Sequence, residues 1–254
     1  MHDSSSTRTP LGFDCARLDI FPLGDRALVI EVADEVSEAS VDLVSRIDRT
    51  LAGARLSGVR DLVPAFCSLT LYYDPRLVER PGSEEENTLP FDVLRRQIEV
   101  LLQDIPADIG YARRLVEIPV CYGGDCGEDL APLALARGMS AEEFIALHTA
   151  PTYFVGMLGF LPGFPYLGGL DPRLFCPRRA TPRARVLAGS VAIGGQHSGI
   201  YPFPSPGGWH VIGRTPVVLF DLQREPISLL AMGDRVRFVS ITREAYDGYA
   251  ERSR

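Results

Sequence analysis

Two histidines, an arginine and the chain's single tryptophan fall within residues 189–221, where glycine and proline are frequent. His197 and His210 could act as acid or base, because imidazole titrates near neutral pH. Arg214 could hold a carboxylate or phosphate through two parallel hydrogen bonds. No carboxylate stands in an obvious orienting position for either histidine, so a structural or exposed role stays open for both.

A second group of arginines lies just upstream, in the stretch CPRRATPRAR. Its members are Arg178, Arg179, Arg183 and Arg185. Such a cluster could bind an anion in two-point geometry, but it could equally form a solvated basic loop.

Residues 156–169, GMLGFLPGFPYLGG, combine aromatic side chains with glycine and proline. Phe160, Phe164 and Tyr166 could form the walls of a pocket, since small-molecule sites are lined mostly by apolar and aromatic groups. The alternative is a rigid loop that packs its aromatic rings onto the protein core. The sequence leaves both interpretations open.

Composition excludes several functions. All 26 basic residues are arginine, so the lysine of a Walker-type phosphate loop, a Schiff base or a carrier attachment site is absent.

The net charge of −7 argues against nucleic acid as the main partner, and no apolar run is long enough to span a membrane. The five scattered cysteines favour reduced thiols and no metal site. The first residues lack the apolar core of a secretory signal, so a cytoplasmic location is expected.

The pattern of strands and helices predicts two domains after a disordered tail at residues 1–15. Residues 16–108 alternate strands with two helices and predict a small α+β domain, the first helix being capped by Ser37. Residues 112–245 contain many short strands with glycine corners, which favours a closed β-barrel. His148, late in a short helix, is expected only to favour the local helix dipole.

Short β-prone runs are predicted as strands of this barrel. They are Ser190–Ile193, Gly199–Tyr201, His210–Ile212 and Val217–Phe220, and Leu229–Ile241 is expected to form a hairpin around Gly233 and Asp234.

Several motifs in order resemble one known family. They include PVCYGG, GFLPGFPYLGGL, AGSVAIGGQ, GIYP and SPGGWHVIGRTP, with GDRALVIE and DLVPAFCSLTLYYDP upstream. Together they resemble the family of the B subunit of 5-oxoprolinase, also called allophanate hydrolase subunit 1 or the KipI-like carboxyltransferase-domain family. The similarity extends from Asp19 to Ile241.

The resemblance implies an α/β domain followed by a cyclophilin-like barrel, a partner C subunit that shares a cleft with it, and a separate A subunit. Such complexes open 5-oxoproline to glutamate with ATP, so this chain is expected to bind no cofactor alone and to be inactive alone. Arg214, His210 and His197 are then the expected catalytic residues. The expected substrate-binding residues are Arg185, Gln196, Tyr201, Gly207, Gly208, Trp209 and Phe164. In this interpretation Arg214 holds the substrate carboxylate, while His210 or the amides at Gly207 and Gly208 stabilise oxyanion charge.

Other functions remain open at this point. KipI-like relatives inhibit a sensor histidine kinase, and related domains in urea carboxylase handle carboxyl transfer. A chain without lysine cannot supply the Ser-Ser-Lys arrangement of dedicated allophanate hydrolases. Prolyl isomerisation would follow from the barrel alone and is the weakest of these interpretations, because a fold does not specify a function.

Overall fold

The computed structural model describes residues 18–79, 88–103, 105 and 113–252. The tail predicted at residues 1–15 lies outside these residues. Contacts along the chain separate two compact units, Met1–Tyr111 and Ala112–Arg254. No helix among the described residues has both the length and the apolar character needed to cross a membrane.

In the part of the first unit that the structure describes, four antiparallel strands pair side by side and two helices are present. Its elements are β1 (Asp19–Pro22), β2 (Ala27–Glu31), α1 (Glu38–Ala54), β3 (Val59–Ala65), β4 (Ser68–Tyr73) and α2 (Pro90–Leu102). The strands lie in the order β1-β2-β4-β3. As predicted, Ser37 caps α1, and its hydroxyl accepts a hydrogen bond from the Ser40 amide. The apolar side of α1, with Val44 and Ile47 fully buried, forms part of this unit's core.

The second unit carries nine strands and three helices among the described residues. Its strands are β5 (Leu115–Tyr122), β6 (Tyr153–Leu158), β7 (Pro165–Gly168), β8 (Arg183–Val186), β9 (Ser190–Gly194), β10 (His197–Ile200), β11 (Ser205–Gly207), β12 (His210–Arg214) and β13 (Arg235–Ser240). Its helices are α3 (Leu130–Ala136), α4 (Ala141–Thr149) and α5 (Arg243–Arg252).

Seven of these strands close into a barrel. The order is β6-β13-β5-β12-β9-β10-β7, and β7 pairs back with β6. All the pairings are antiparallel except β5 with β13, which run parallel with Phe238 opposite Ile118. Strands β8 and β11 form a separate two-stranded ribbon. Branched and aromatic side chains such as Val191, Ile212 and Phe238 fill the barrel interior, which excludes water from its centre.

Two of the predicted strands are wrong. The hairpin expected at Leu229–Ile241 does not form, because β13 is already paired on both edges, with β5 and β6. The buried Asp234 carboxylate instead accepts hydrogen bonds from Arg114 and the Ala231 amide, which fixes the chain before β13 as an irregular loop. The run 217–220 likewise forms no strand, and Phe220 makes only an isolated bridge to Ser228.

Candidate functional site

The candidate site is a cavity of about 280 Å³ in the second unit, here called the aromatic cavity. It is lined by Phe160, Phe164, Tyr166, Arg178, Arg179, Pro182, Tyr201, Pro206, Gly207, Gly208 and Trp209. Its size and its mixture of rings with a few polar groups are typical of a site for a small organic molecule.

Barrel strands and the ribbon position the rings of the aromatic cavity. Phe164 and Tyr166 lie at the start of β7, Tyr201 directly follows β10, and Trp209 directly precedes β12. The rings meet edge to face, with centroid distances of 5.1 Å between Phe164 and Tyr201 and 5.5 Å between Tyr166 and Trp209. Such contacts favour one arrangement of the rings, so the walls of the cavity are preorganised.

Glycines on the neighbouring strands make room for Trp209. A Cβ atom at Gly194 would lie 2.6 Å from the indole, and one at Gly199 would lie 2.9 Å from it. Real side chains do not approach that closely, so only glycine allows the indole to lie against β9 and β10. At these two positions glycine therefore serves close packing of an aromatic ring rather than turn formation.

Two phenol groups supply polar contacts. Burial raises the pKa of Tyr166 and that of Tyr201, so both hydroxyls are protonated at neutral pH. The Trp209 backbone opposes part of the increase in the pKa of Tyr201. Within the cavity wall, Tyr201 thus presents a protonated hydroxyl that can donate a hydrogen bond.

A buried carboxylate anchors the arginine-rich wall. Asp129, 7% exposed, accepts two hydrogen bonds of 2.8 Å from Arg183 and one of 2.9 Å from Arg179. The Val211 amide donates a fourth, at 2.7 Å. Burial alone would raise the pKa of Asp129, but the hydrogen bonds and the two guanidinium charges outweigh it and lower that pKa. Asp129 is therefore a permanent anion that holds two arginines in place.

The cavity brings together five of the residues that the sequence predicts for substrate binding. They are Phe164, Tyr201, Gly207, Gly208 and Trp209. Gln196 is exposed in the turn between β9 and β10, and Arg185 is exposed on β8, so neither lines the cavity. Phe160 and Tyr166, proposed from the sequence as walls, also line it. Whether any of these residues binds substrate stays a prediction.

None of the three predicted catalytic residues lines the cavity. His197 begins β10, and its ring centroid lies 6.5 Å from that of Tyr166. Burial, assisted by the charge of Arg178, lowers the pKa of His197, so its imidazole is neutral at pH 7. The Nε2 of His210 lies 3.1 Å from the Pro177 carbonyl oxygen. Arg214 is half-buried and donates from Nε to the Ala188 carbonyl oxygen at 2.9 Å.

His148 differs from its sequence-based interpretation. It does lie in the last turn of α4, but its imidazole is completely buried, and burial lowers its pKa to about 3. A neutral ring cannot favour the helix dipole as a cation would, so that expectation is wrong.

Sequence reasoning missed Asp129. It lies 50 residues before Arg179 and 54 before Arg183, and nothing local marks it as their partner. The four-arginine stretch was a detectable signal, but the sequence did not separate a structural arginine from one that faces a ligand. Among the described residues, no three His, Cys, Asp or Glu side chains come together as a metal site.

The fold therefore defines this chain as a closed-barrel protein with a small aromatic cavity. The chain belongs to the family described as "Carboxyltransferase domain, subdomain C and D", which matches residues 18–230. It is 42% identical over 237 residues to the B subunit of 5-oxoprolinase from Bacillus subtilis (strain 168), covering 93% of this chain and 98% of the relative. It is 39% identical over 223 residues to the protein of the same name from Escherichia coli O157:H7, covering 88% and 96%.

Two solved structures are similar to this chain. The chain is 39% identical to the crystal structure of TTHA0988, with a TM-score of 0.72, over 85% of this chain and 40% of that one. This chain thus spans about two fifths of the length of that longer protein. The urea amidolyase of K. lactis matches 96% of this chain and 16% of its own with a TM-score of 0.72, and at 18% identity the likeness is one of fold.

Proposed function

We propose that this chain is the B subunit of an ATP-dependent 5-oxoprolinase and contributes half of a composite site that opens 5-oxo-L-proline to L-glutamate. The main support is an identity of about 40% over nearly the full length of two relatives that carry this name. The proposal includes a cytoplasmic location and a cyclophilin-like character for the barrel.

The aromatic cavity is the proposed binding site for the substrate. 5-Oxoproline combines a flat lactam ring with a carboxylate, and the cavity combines edge-packed rings, protonated phenols and guanidinium groups. Flat rings pack well against aromatic faces, while a phenol can donate to the lactam oxygen and a guanidinium can pair with the carboxylate. The chemistry of the wall therefore fits both halves of the substrate.

The chain is proposed to handle the lactam but not the nucleotide. A five-membered amide resists hydrolysis, so transfer of the γ-phosphoryl group of ATP to its oxygen, with ADP as leaving group, would prepare its carbon for attack by water. The lactam C–N bond then breaks, the nitrogen leaves as the amine of glutamate, and phosphate is released. The chain has no lysine for a phosphate loop, and ATP is assigned to a separate A subunit. This chain would hold the ring, and the Tyr201 hydroxyl together with the backbone amides at Gly207 and Gly208 would stabilise developing oxyanion charge.

A C subunit is the proposed partner that completes the site. This chain matches only 40% of TTHA0988, so in that protein a similar region is part of a much longer chain. Such a difference in length supports a separate partner chain here. Alone, the chain is expected to be inactive, because the proposal assigns nucleotide chemistry to the A subunit.

Reconstitution tests the proposal. The chain is mixed with the corresponding A and C subunits, ATP and 5-oxo-L-proline, and glutamate release is followed. We expect release from the full mixture and none when this chain or ATP is omitted. No release from the full mixture, together with inhibition of a sensor kinase's autophosphorylation by this chain, would instead support the regulatory alternative.

The same assay tests the predicted catalytic residues one at a time. If Arg214 contacts the substrate, Arg214→Ala abolishes turnover while the folded barrel and subunit assembly persist. If Arg214 only bonds the Ala188 carbonyl oxygen, the variant loses stability and keeps turnover. Alanine variants of His197 and His210 separate catalytic from structural roles in the same way.

A further inference from the structure

Two arginines line the aromatic cavity, and Arg178 is the one that has no carboxylate partner in the part of the chain that the structure describes. Arg183 bonds Asp129 with both terminal nitrogens and Glu128 through Nε, and Arg179 bonds Asp129. Arg178 makes no hydrogen bond or ion pair with any residue that the structure describes, although it lines the cavity. Among the described residues, Arg179 and Arg183 are therefore paired with carboxylates, whereas Arg178 is not.

The charge of Arg178 acts on the interior of the cavity rather than on solvent alone. It lowers the pKa of His197 in addition to the effect of burial. It also opposes part of the increase that burial causes in the pKa of Tyr166 and of Tyr201. An anion placed beside these phenols would therefore lie within the field of Arg178.

The backbone on both sides of Arg178 is tethered to the barrel and its ribbon. The Arg179 amide donates to the Gly208 carbonyl oxygen at 2.8 Å, and His210 Nε2 lies 3.1 Å from the Pro177 carbonyl oxygen. Two positions earlier, the Cys176 amide donates to the Gly195 carbonyl oxygen at 3.1 Å. A long side chain on a fixed backbone loses less freedom when it binds, so this loop is prepared for a ligand.

We propose that Arg178 pairs with the substrate carboxylate and so makes the site select carboxylated lactams over neutral ones. This inference rests on the proposed function for the identity of the ligand. Arg179 and Asp129 are positioning residues, because their ion pair holds the part of the cavity wall from which Arg178 extends. A guanidinium and a carboxylate form charge-assisted hydrogen bonds, and the loss of one such pair typically weakens binding about 10- to 100-fold.

The single tryptophan provides a direct test on the intact chain. Trp209 lines the cavity, so its fluorescence reports on occupancy without interference from another indole. The chain is titrated with 5-oxo-L-proline and with 2-pyrrolidinone, the same lactam without the carboxylate. We expect 5-oxoproline to bind about 10- to 100-fold more tightly than pyrrolidinone, and Arg178→Gln to abolish that difference. Arg237→Gln removes an exposed arginine of the same barrel outside the cavity and should behave as wild type.

The outcomes separate this inference from the proposed function. A flat titration with 5-oxoproline, equal affinity for the two lactams, or wild-type affinity in Arg178→Gln overturns the role of Arg178. The reconstituted complex gives the second measurement, in which Arg178→Gln should lower kcat/KM for 5-oxoproline by the same factor. Wild-type kcat/KM in that variant rejects the inference and leaves the function intact. Carboxylate-dependent binding without any glutamate release from the wild-type complex rejects the function and leaves the site intact.

Discussion

Individual charged residues in the second unit have different roles because they differ in burial. Asp129 and Asp234 are buried, and each accepts hydrogen bonds from arginine side chains. Arg178, in contrast, is exposed at a cavity and has no hydrogen-bonded partner among the described residues. A buried carboxylate needs its partners to offset the cost of leaving water. An exposed guanidinium at a pocket stays hydrated and needs no partner to offset a desolvation cost, so it remains available to a ligand.

His148 shows how burial fixes the state of a single group. Its Nδ1 lies 2.8 Å from the Tyr122 hydroxyl oxygen, and its Nε2 lies 3.0 Å from Ser198 Oγ. Ser198 in turn donates to the Ala192 carbonyl oxygen, so Nε2 carries the proton and Tyr122 donates to Nδ1. Phe238 stacks on the ring at a centroid distance of 4.6 Å. A neutral imidazole satisfies every contact, and a cation would not.

This burial predicts a specific loss of stability in acid. The pKa of His148 is about 3 in the folded chain and about 6.5 in the unfolded chain, so the unfolded state takes up a proton first. The stabilisation is complete above pH 6.5 and is lost as the pH falls towards 3. Between pH 7 and pH 5 this group should remove about 2 kcal/mol from the free energy of unfolding.

Urea unfolding at the two pH values measures the effect. His148→Gln, which cannot titrate, should show a pH dependence smaller by about 2 kcal/mol, whatever its absolute stability. Ser198→Ala keeps the imidazole and should retain most of the wild-type dependence. Equal pH dependence in wild type and His148→Gln would show that the ring is not held neutral.

At the level of elements, sequence pattern correctly predicted three of the seven barrel strands, but it did not predict which strands pair with one another. Runs with glycine corners correctly marked β9, β10 and β12. The pairing of β5 with β13 joins residues 120 positions apart, and local pattern carries no information on such a contact. For the same reason the sequence predicted a local hairpin at Leu229–Ile241, where β13 in fact pairs with distant strands.

The site was predictable to a similar degree. Aromatic and glycine residues in one segment pointed to a pocket wall, and five predicted binding residues do line the aromatic cavity. The choice among arginines was not available from sequence, because it depends on Asp129, which reaches them only in the folded barrel. The sequence identifies a cluster of arginines, but only the contacts in the folded chain show which of them are already paired with a carboxylate.

The packing of β9 against Trp209 predicts the effect of a single methyl group. Gly194→Ala would place a Cβ 2.6 Å from the indole and should destabilise the chain by about 1–3 kcal/mol through overpacking. Gly208→Ala also adds a methyl group at the cavity, but its nearest neighbour is Pro182 Cγ at 3.8 Å. That control should change stability by no more than about 0.5 kcal/mol. Urea unfolding followed by Trp209 emission compares the two, and equal stability would contradict the tight contact.

On the scale of the whole molecule, the chain divides into two units with separate cores. All seven barrel strands and the aromatic cavity belong to the second unit. A unit that holds its own closed sheet and core has the requirements for independent folding. The domain boundaries predicted from sequence can therefore be tested by dividing the chain.

We expect a fragment of residues 112–254 to fold alone. Circular dichroism and Trp209 fluorescence should give coincident, cooperative unfolding transitions in urea, because one core supports both signals. A shorter fragment, 112–234, lacks β13 and leaves edges of β5 and β6 unpaired, so it should aggregate or remain unfolded. If the longer fragment also fails to unfold cooperatively, the second unit is not an independent domain.

The position of β13 also has a consequence for biosynthesis. Glu117 of β5 and its partner Arg237 of β13 are 120 residues apart, and translation adds about 5–20 residues per second. A nascent chain therefore waits on the order of 10 s between the emergence of the two strands from the ribosome. During this interval an apolar strand is available to any chaperone at the exit tunnel, and the rate of translation sets how long it needs protection.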